Sequence, residues 1–136
     1  MDDMTNYERE YSRVVVDGIP LSQLDDAVAR ALGWIDYPDD SIEHGRYWHI
    51  MPDKAPFGRR LEKSYWHPST SWRQAGLLIE KDRIHIEHKD GCVGAYYHRY
   101  HPFGYCNGKT VLEAVCRIFV LERMRKTVTH PIEIVI

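Results

Sequence analysis

The spacing of apolar and polar positions predicts three helices, the first of which follows Pro20. Ser22 precedes the apolar run and Asp25 comes three residues later, which is the spacing of a capping box. The apolar positions then recur at the i, i+3, i+4, i+7 spacing of one helical face, and they are Leu24, Ala27, Val28, Ala31 and Leu32. Gly33 can adopt the left-handed conformation that ends a helix. We therefore predict an amphipathic helix between Ser22 and Gly33.

The second and third helices begin with the same kind of signal. Ser71 is followed by Gln74, and Thr110 by Glu113, so both pairs have the spacing of a capping box. In the second helix, which ends near Lys81, the predicted buried stripe is Trp72, Ala75, Leu78 and Ile79. In the third helix the apolar residues cover more than one face, and they are Val111, Leu112, Ala114, Val115, Ile118, Phe119, Leu121 and Met124. Such breadth predicts a central helix that contacts the sheet and also a loop or a second subunit.

A β-hairpin is predicted between the second and third helices. In RIHIEH, the apolar residues Ile84 and Ile86 alternate with polar residues, which is the period of a half-buried strand. Asp90 and Gly91 follow, and this pair favours a type I′ turn. The stretch CVGAYYHRY then supplies the second strand of the hairpin.

Three further segments have the composition of strands. They are RVVVD, which ends in an Asp-Gly turn, RYWHI in the middle of the chain, and the tail PIEIVI, which starts at Pro131. Between Asp36 and Pro68 prolines and glycines are frequent, so RYWHI is the one strand predicted there. The remainder of that segment is predicted to be a long irregular passage, and connections of this length usually have a function.

Length and composition favour a single domain over residues 1–136. The 136 residues are 43% hydrophobic and 28% charged, which is ordinary for a globular protein of this size. The formal net charge of −2 lacks the positive field that most nucleic-acid-binding proteins use, so a nucleic acid is not the expected partner. The acidic start MDDMTNYERE is unlike a secretory signal, and no apolar run reaches the roughly 18 residues of a membrane span.

The cysteines indicate a reducing compartment. Cys92, Cys106 and Cys116 are odd in number and do not form a CxxC pair. We therefore expect free thiols and a cytoplasmic protein.

The order of these elements and several short sequences resemble a known family. The sequences that carry the resemblance are ALGW at the end of the first helix, PSTSWRQAGLLIE in the second, the hairpin, and TVLEAVCRIFV in the third. Over residues 21–124 the chain is similar to the phage ABA sandwich domain of small bacteriophage proteins, which are related to the NinX-type phage proteins. The resemblance implies a phage or prophage origin and an α+β fold, an α/β/α sandwich with three helices on a small, mainly antiparallel sheet. Residues 1–20 and 127–136 are then strand-like extensions of that core.

No motif in the chain indicates a particular reaction. The eight histidines raise the hypothesis of a metal site, but ligand pairs such as CxxC or HxxxH on a helix are missing. A P-loop, an HExxH sequence and a GxSxG elbow are missing as well. We therefore predict no catalytic residue, no metal ligand and no cofactor. A metal-dependent enzyme stays open as an alternative, because a site can be assembled from distant residues.

Aromatic and cationic residues are interleaved in GAYYHRYHPFGY. Aromatic rings beside arginine can stack on bases or contact a protein partner, although alternate tyrosines of a strand can equally pack beneath the helices. We predict that this stretch and the passage from Tyr47 to Pro68 form one binding surface near a sheet end. The candidate residues are Trp48, Arg59, Arg60, Tyr96, His98, Arg99, Tyr100 and Phe103.

These patterns favour binding over catalysis. The leading hypothesis is an accessory phage or prophage protein that binds a host or phage macromolecule in the host cytoplasm, for example to counter a host defence. The alternative is a protein that binds or sequesters a small nucleotide-like ligand between aromatic rings and Arg59, Arg60 or Arg99. The broad apolar surface of the third helix and the hydrophobic tail predict a homodimer, and no membrane partner is expected.

Overall fold

The computed structural model describes residues 14–38, 45–50, 59–97 and 106–129. The helices in these ranges are α1 (Leu21–Ala31), α2 (Trp72–Asp82) and α3 (Val111–Thr129), with a short helical segment at 14–17 and a 3-10 turn at Lys63–Tyr65. The first sheet contains β1 (Ile35–Asp36), β2 (Tyr47–Ile50) and β3 (Arg59–Glu62), and the second contains β4 (His85–Lys89), β5 (Cys92–Tyr96) and β6 (Cys106–Gly108). Both sheets are antiparallel. The α+β class is thus confirmed, but the described strands form two small sheets, and the predicted three-layer sandwich is not confirmed.

The core of the described structure is built around α3. Leu112 and all residues from 114 to 122 are buried, and the helix packs against α1, α2, β5 and β6. Because neighbours lie on several sides, a helix with apolar residues around most of its circumference is stable here. The prediction of a central helix packed on the hairpin sheet is confirmed.

The first turn of α3 is stabilised by Thr110 and Glu113. The Thr110 hydroxyl accepts a hydrogen bond from the Glu113 backbone N–H at 3.1 Å, which confirms the predicted cap. The Glu113 carboxylate accepts from the backbone N–H of Lys109 at 2.9 Å, one residue before the position expected in a capping box. Glu113 also lies directly beside Gly108, where an added Cβ would stand only 2.7 Å from its side chain. Glycine at 108 therefore permits this close approach.

The segment at 14–17 is helical, so the strand predicted from RVVVD is wrong. Val16 is buried, and Nη1 of Arg117 on α3 donates to the carbonyl oxygens of Val16 at 2.8 Å and Ile19 at 2.9 Å. The Val16 carbonyl also accepts from the Ile19 backbone N–H at 3.1 Å, and the buried arginine supplies a second donor at the end of the segment. This contact between distant parts of the chain outweighs the β-propensity of three consecutive valines.

The start of α1 differs from the prediction, whereas its buried face and its end do not. The N-cap is Pro20 and no side chain caps the helix, so the capping box expected from Ser22 and Asp25 is wrong. The Asp25 carboxylate accepts instead from the backbone N–H of Ser69 at 2.8 Å and from its hydroxyl at 3.1 Å. Gly33 has a φ of +89°, as a left-handed helix stop requires. The predicted face is buried or half-buried: Leu24, Ala27, Val28, Ala31 and Leu32.

The cap of α2 is confirmed in part. The Ser71 hydroxyl accepts from the backbone N–H of Gln74 at 3.3 Å. The Gln74 side chain, however, bonds to the backbone N–H of His67 and the carbonyl oxygen of Tyr65, both at 2.7 Å. Trp72, which was predicted to be buried, is 62% exposed. Trp72 is the first residue of α2, and the helical period alone assigned its side chain to the buried face wrongly.

The hairpin of β4 and β5 is confirmed, but its turn is of a different type. Lys89 pairs with Cys92, which leaves the two residues Asp90 and Gly91 in the turn. Gly91 has a φ of +81°, whereas Asp90 is not among the described residues with positive φ. A type I′ turn requires positive φ at both positions, so the predicted turn type is wrong.

The first sheet shows more strand than the sequence predicted. RYWHI contains β2 as expected, but β3 lies in the segment that was predicted to be irregular, and β1 ends at the first residue of that segment. At the other end of the chain, α3 continues to Thr129, so the strand-like extension predicted from residue 127 is helical at 127–129. The tail PIEIVI lies outside the described residues, and its predicted pairing stays a prediction.

The cysteines are not all free. Cys92 is disulfide-bonded, so the expectation of three free thiols is wrong. Two sulfurs bond only where their Cβ atoms come within about 4 Å, a closeness that the spacing in the sequence does not reveal. Cys116 is free and buried, and burial raises the pKa of its thiol to about 12. A thiol with so high a pKa is a poor nucleophile.

Candidate binding surface

The predicted site residues fall into three groups. His98, Arg99, Tyr100 and Phe103 lie outside the described residues, so their role stays a prediction. Tyr96 lies on β5 of the second sheet, and Trp48, Arg59 and Arg60 lie on β2 and β3 of the first sheet. The candidate residues within the described ranges thus belong to two different sheets.

Tyr96 packs against its neighbour across the hairpin. It pairs with His85 in the strand register, and the two rings are stacked with centroids 5.2 Å apart and an interplanar angle of 18°. The next tyrosine, Tyr97, is buried, and its hydroxyl donates to Oδ2 of Asp82 at 3.0 Å. Burial, reinforced by the Asp82 carboxylate, raises the pKa of Tyr97 above its ordinary value. Tyr97 therefore stabilises the fold, as the competing interpretation of the tyrosine stretch expected.

The two faces of the first sheet have different compositions because successive side chains of a strand point in opposite directions. Tyr47 and His49 lie on one face of β2, and Arg60 is the cross-strand partner of His49. Trp48 lies on the opposite face, paired with Leu61. We call the first of these faces, together with the flanking residues in contact with it, the outer face; it consists of Ile35, Tyr37, Arg46, Tyr47, His49, Arg60 and Glu62.

On the outer face, arginine side chains lie over tyrosine rings. The guanidinium of Arg60 is 4.6 Å from the centroid of the Tyr47 ring and 5.8 Å from that of Tyr37. Arg46 lies 5.4 Å from the Tyr47 ring and forms a salt bridge of 3.3 Å with Glu62. The Tyr37 ring meets His49 edge-on, with centroids 5.3 Å apart. Each distance is within the range of cation–π or aromatic contacts, so the face is an ordered set of rings and cations.

Arg59 and Arg60 differ from Arg46 in their electrostatic partners. No carboxylate forms a salt bridge with either of them within the ranges 14–38, 45–50, 59–97 and 106–129, and both residues are exposed. Their strand positions are adjacent, so they point to opposite faces, and Arg60 alone belongs to the outer face. The guanidinium of Arg60 therefore lies against tyrosine rings, and no carboxylate in the described ranges forms a salt bridge with it.

Trp48 belongs to the core of the protein and not to its surface. The residue is fully buried, and its ring is covered by Arg30 of α1 at 5.1 Å and by Nζ of Lys63 at 4.2 Å. Lys63 also donates to Oδ1 of Asp36 at 2.5 Å. This hydrogen bond, together with the charges of Lys63 and Arg30, holds the pKa of Asp36 below its usual value. A ligand cannot reach Trp48 unless these contacts open.

Tyr47 and His49 lie in the passage that the sequence predicted to be part of the surface, but they were not among the candidate residues, and Tyr37 was missed altogether. Tyr47 and His49 alternate with Trp48 and Ile50 in RYWHI, and this period of two was a usable signal for a strand with one outer face. Tyr37 had no such signal, because β1 has only two residues. Its position follows from pairing with β2, where the Tyr37 backbone N–H donates to the Tyr47 carbonyl at 3.0 Å.

The described ranges contain no further obvious site. No group of three or more His, Cys, Asp or Glu residues in them could hold a metal ion, and no helix in them is long and apolar enough to cross a membrane.

The described part of the chain is thus a small α+β protein with a cationic aromatic face on one sheet. A family model described as Bacteriophage P22, NinX matches residues 21–123, which is well over half of the chain. The chain therefore belongs to the phage P22 NinX family, and the resemblance drawn from the sequence is confirmed. It is an accessory phage protein. No curated protein and no solved structure matches it.

Proposed function

We propose that this phage protein acts by binding a host or phage macromolecule in the host cytoplasm, and that the outer face of the first sheet is the contact surface. The single observation that carries the proposal is the position of Arg60 over Tyr47 and Tyr37. Arginine and tyrosine, with tryptophan, are the side chains enriched among the residues that contribute most to binding.

The arrangement of these side chains supports binding for an energetic reason. Association costs free energy when long side chains become ordered at an interface. Arg60 is already held against two rings, so less of its freedom is lost when a partner binds. A planar guanidinium stacked on a ring still presents its N–H groups at the edge, where a carboxylate or phosphate can accept them.

Co-purification from infected cells tests the proposal. The tagged chain is compared with the double variant Tyr47→Ala/Arg60→Ala, and bound macromolecules are identified by mass spectrometry and nucleic-acid sequencing. We expect one reproducible partner, with recovery reduced about tenfold or more in the double variant, because the truncation removes both a ring and a cation.

The matched control is Trp72→Ala/Arg73→Ala, which removes an exposed ring and an exposed cation from α2. We expect this control to recover the partner at the level of the parent protein. Thermal unfolding of both variants identifies any loss of fold. Equal recovery by a folded Tyr47→Ala/Arg60→Ala variant would show that the outer face is not the contact surface.

A further inference from the structure

We propose that the partner recognised by the outer face is a single-stranded nucleic acid, bound by stacking of its bases and by contacts between its phosphates and arginine. This inference rests on the proposed function and specifies the chemistry of the partner. The net charge of the chain gave the opposite expectation, that a nucleic acid is not the partner. The structure revises this expectation because it brings Arg46 and Arg60 together on one face.

The shape of the site favours an extended polymer. Sites for small molecules are concave and enclose most of the ligand, whereas the outer face is one side of an antiparallel sheet of three strands. β2 and β3 have four residues each, so the face is roughly 13 Å long at about 3.3 Å per residue. An unpaired strand of two or three nucleotides can lie along such a surface, as single strands do on other sheet faces.

The ring and cation pattern favours a nucleic acid over an acidic protein. The side chains follow one another as Arg46, Tyr47, Arg60 and Tyr37, since each cation contacts the rings beside it. Unpaired bases stack on tyrosine, histidine or the guanidinium plane, and the phosphates between them accept hydrogen bonds from arginine. An acidic peptide would use the cations but has no need of the rings. Bases of a duplex are stacked on one another and cannot reach the rings.

The local charge is positive although the whole chain has a net charge of −2. On the outer face Arg46 and Arg60 are cationic and Glu62 is anionic, a surplus of one positive charge. The surplus is small, because the charge of Arg46 is paired with that of Glu62. We therefore expect binding that is on the order of micromolar at low salt and weakens as salt rises.

Fluorescence anisotropy with the purified full-length chain tests this inference. The probe is a labelled oligothymidylate of about ten nucleotides, with the same oligonucleotide as duplex and poly-glutamate as unlabelled competitors. We expect saturable binding that Arg60→Ala weakens about tenfold, with a salt slope reduced by roughly one phosphate contact. Arg60→Lys keeps the charge but loses the flat guanidinium, so we expect it to bind more weakly than the parent.

The outcomes separate this inference from the proposed function. Arg73→Ala, on α2, is expected to bind the probe like the parent protein. Competition by poly-glutamate equal to that of the unlabelled single strand would overturn the inference in favour of an acidic protein partner, and the proposed function would survive. Absence of binding at low salt, or binding unchanged in Arg60→Ala, would also overturn it. If the outer-face double variant also recovers the cellular partner normally, the proposed function fails as well.

Discussion

Arg117 shows how one buried side chain joins distant parts of the chain. Its side chain is 7% exposed and forms a salt bridge of 3.2 Å with Glu113 in the preceding turn of α3. The same guanidinium donates to the carbonyl oxygens of Val16 and Ile19. An arginine is well suited to this position, because its planar head has several donors and can satisfy a carboxylate and two carbonyl groups together.

We predict that Arg117→Met lowers the free energy of unfolding by about 3 kcal/mol. The substitution keeps much of the apolar volume but removes the charged donor shared by the Val16 and Ile19 carbonyl groups and the Glu113 carboxylate, in a buried position. Denaturant unfolding measures the change, with Arg73→Met as the control at an exposed position, where we expect a change within about 0.5 kcal/mol. A loss below about 1 kcal/mol for Arg117→Met would mean that water replaces the missing donor.

Asp36 predicts a pH dependence of stability. Its pKa is lowered in the folded protein, chiefly by the hydrogen bond from Lys63. A carboxyl with a depressed folded pKa stabilises the fold above its unfolded pKa, which is near 3.8, and this contribution is lost as pH falls through the folded value. The contribution is small, since the side chain is 43% exposed.

We therefore expect Asp36→Asn to be less stable than the parent at about pH 6, and by a smaller margin at about pH 2.5, below the ordinary carboxyl pKa. Denaturation midpoints at both values check the prediction. A difference that persists unchanged at the lower pH would show that the hydrogen bond matters independently of the charge.

Among the elements, α3 makes the widest set of contacts in the described structure. It packs against two helices and two strands, and Phe119 in its centre is fully buried. Interiors are close-packed, so the loss of a large side chain from such a position leaves a cavity that the neighbours fill only in part. The element thus stabilises the contacts between α1, α2 and the second sheet.

We predict that Phe119→Ala lowers the free energy of unfolding by about 3 to 5 kcal/mol. Leu77→Ala is the matched control, because Leu77 is 61% exposed on α2 and its truncation should cost less than about 0.5 kcal/mol. Thermal or denaturant unfolding distinguishes the two. Similar melting of Phe119→Ala and the parent would show that α3 is peripheral.

At the scale of the whole molecule, self-association stays a prediction, but only one of the two reasons for it remains. The faces of α3 that were expected to need a second subunit are covered by elements of the same chain. The remaining reason is the hydrophobic tail PIEIVI, which has strand composition and needs a pairing partner. The predicted dimer therefore depends on the tail.

We predict a dimer of twice the 16.0 kDa chain mass in sedimentation at micromolar concentration. Ile134→Lys places a charge in the tail and is expected to shift the protein to the monomer. A parent protein that sediments only as a 16.0 kDa species would rule out the dimer and favour pairing of the tail within one chain.

The sequence by itself determined the elements whose signals are local. α2, α3 and the hairpin were predicted because caps, helical periods and an Asp-Gly turn act over a few residues. The family was predicted on the same segments. Tertiary structure decided the features that depend on distant residues. These are the helical form of 14–17, which Arg117 contacts, the hydrogen bond from Ser69 to the Asp25 carboxylate, and the pairing of β1 and β3 with β2.

The candidate surface divides in the same way. Arg60 was selected from the sequence for its charge, but its contacts with Tyr47 and Tyr37 follow from strand pairing across three segments of the chain. Trp48 was selected for its aromatic ring, and the register of β2 directed it into the core. Residue type determines what a side chain can bind, but the side of the sheet on which it lies is decided by pairing, because neighbouring residues of a strand point to opposite faces.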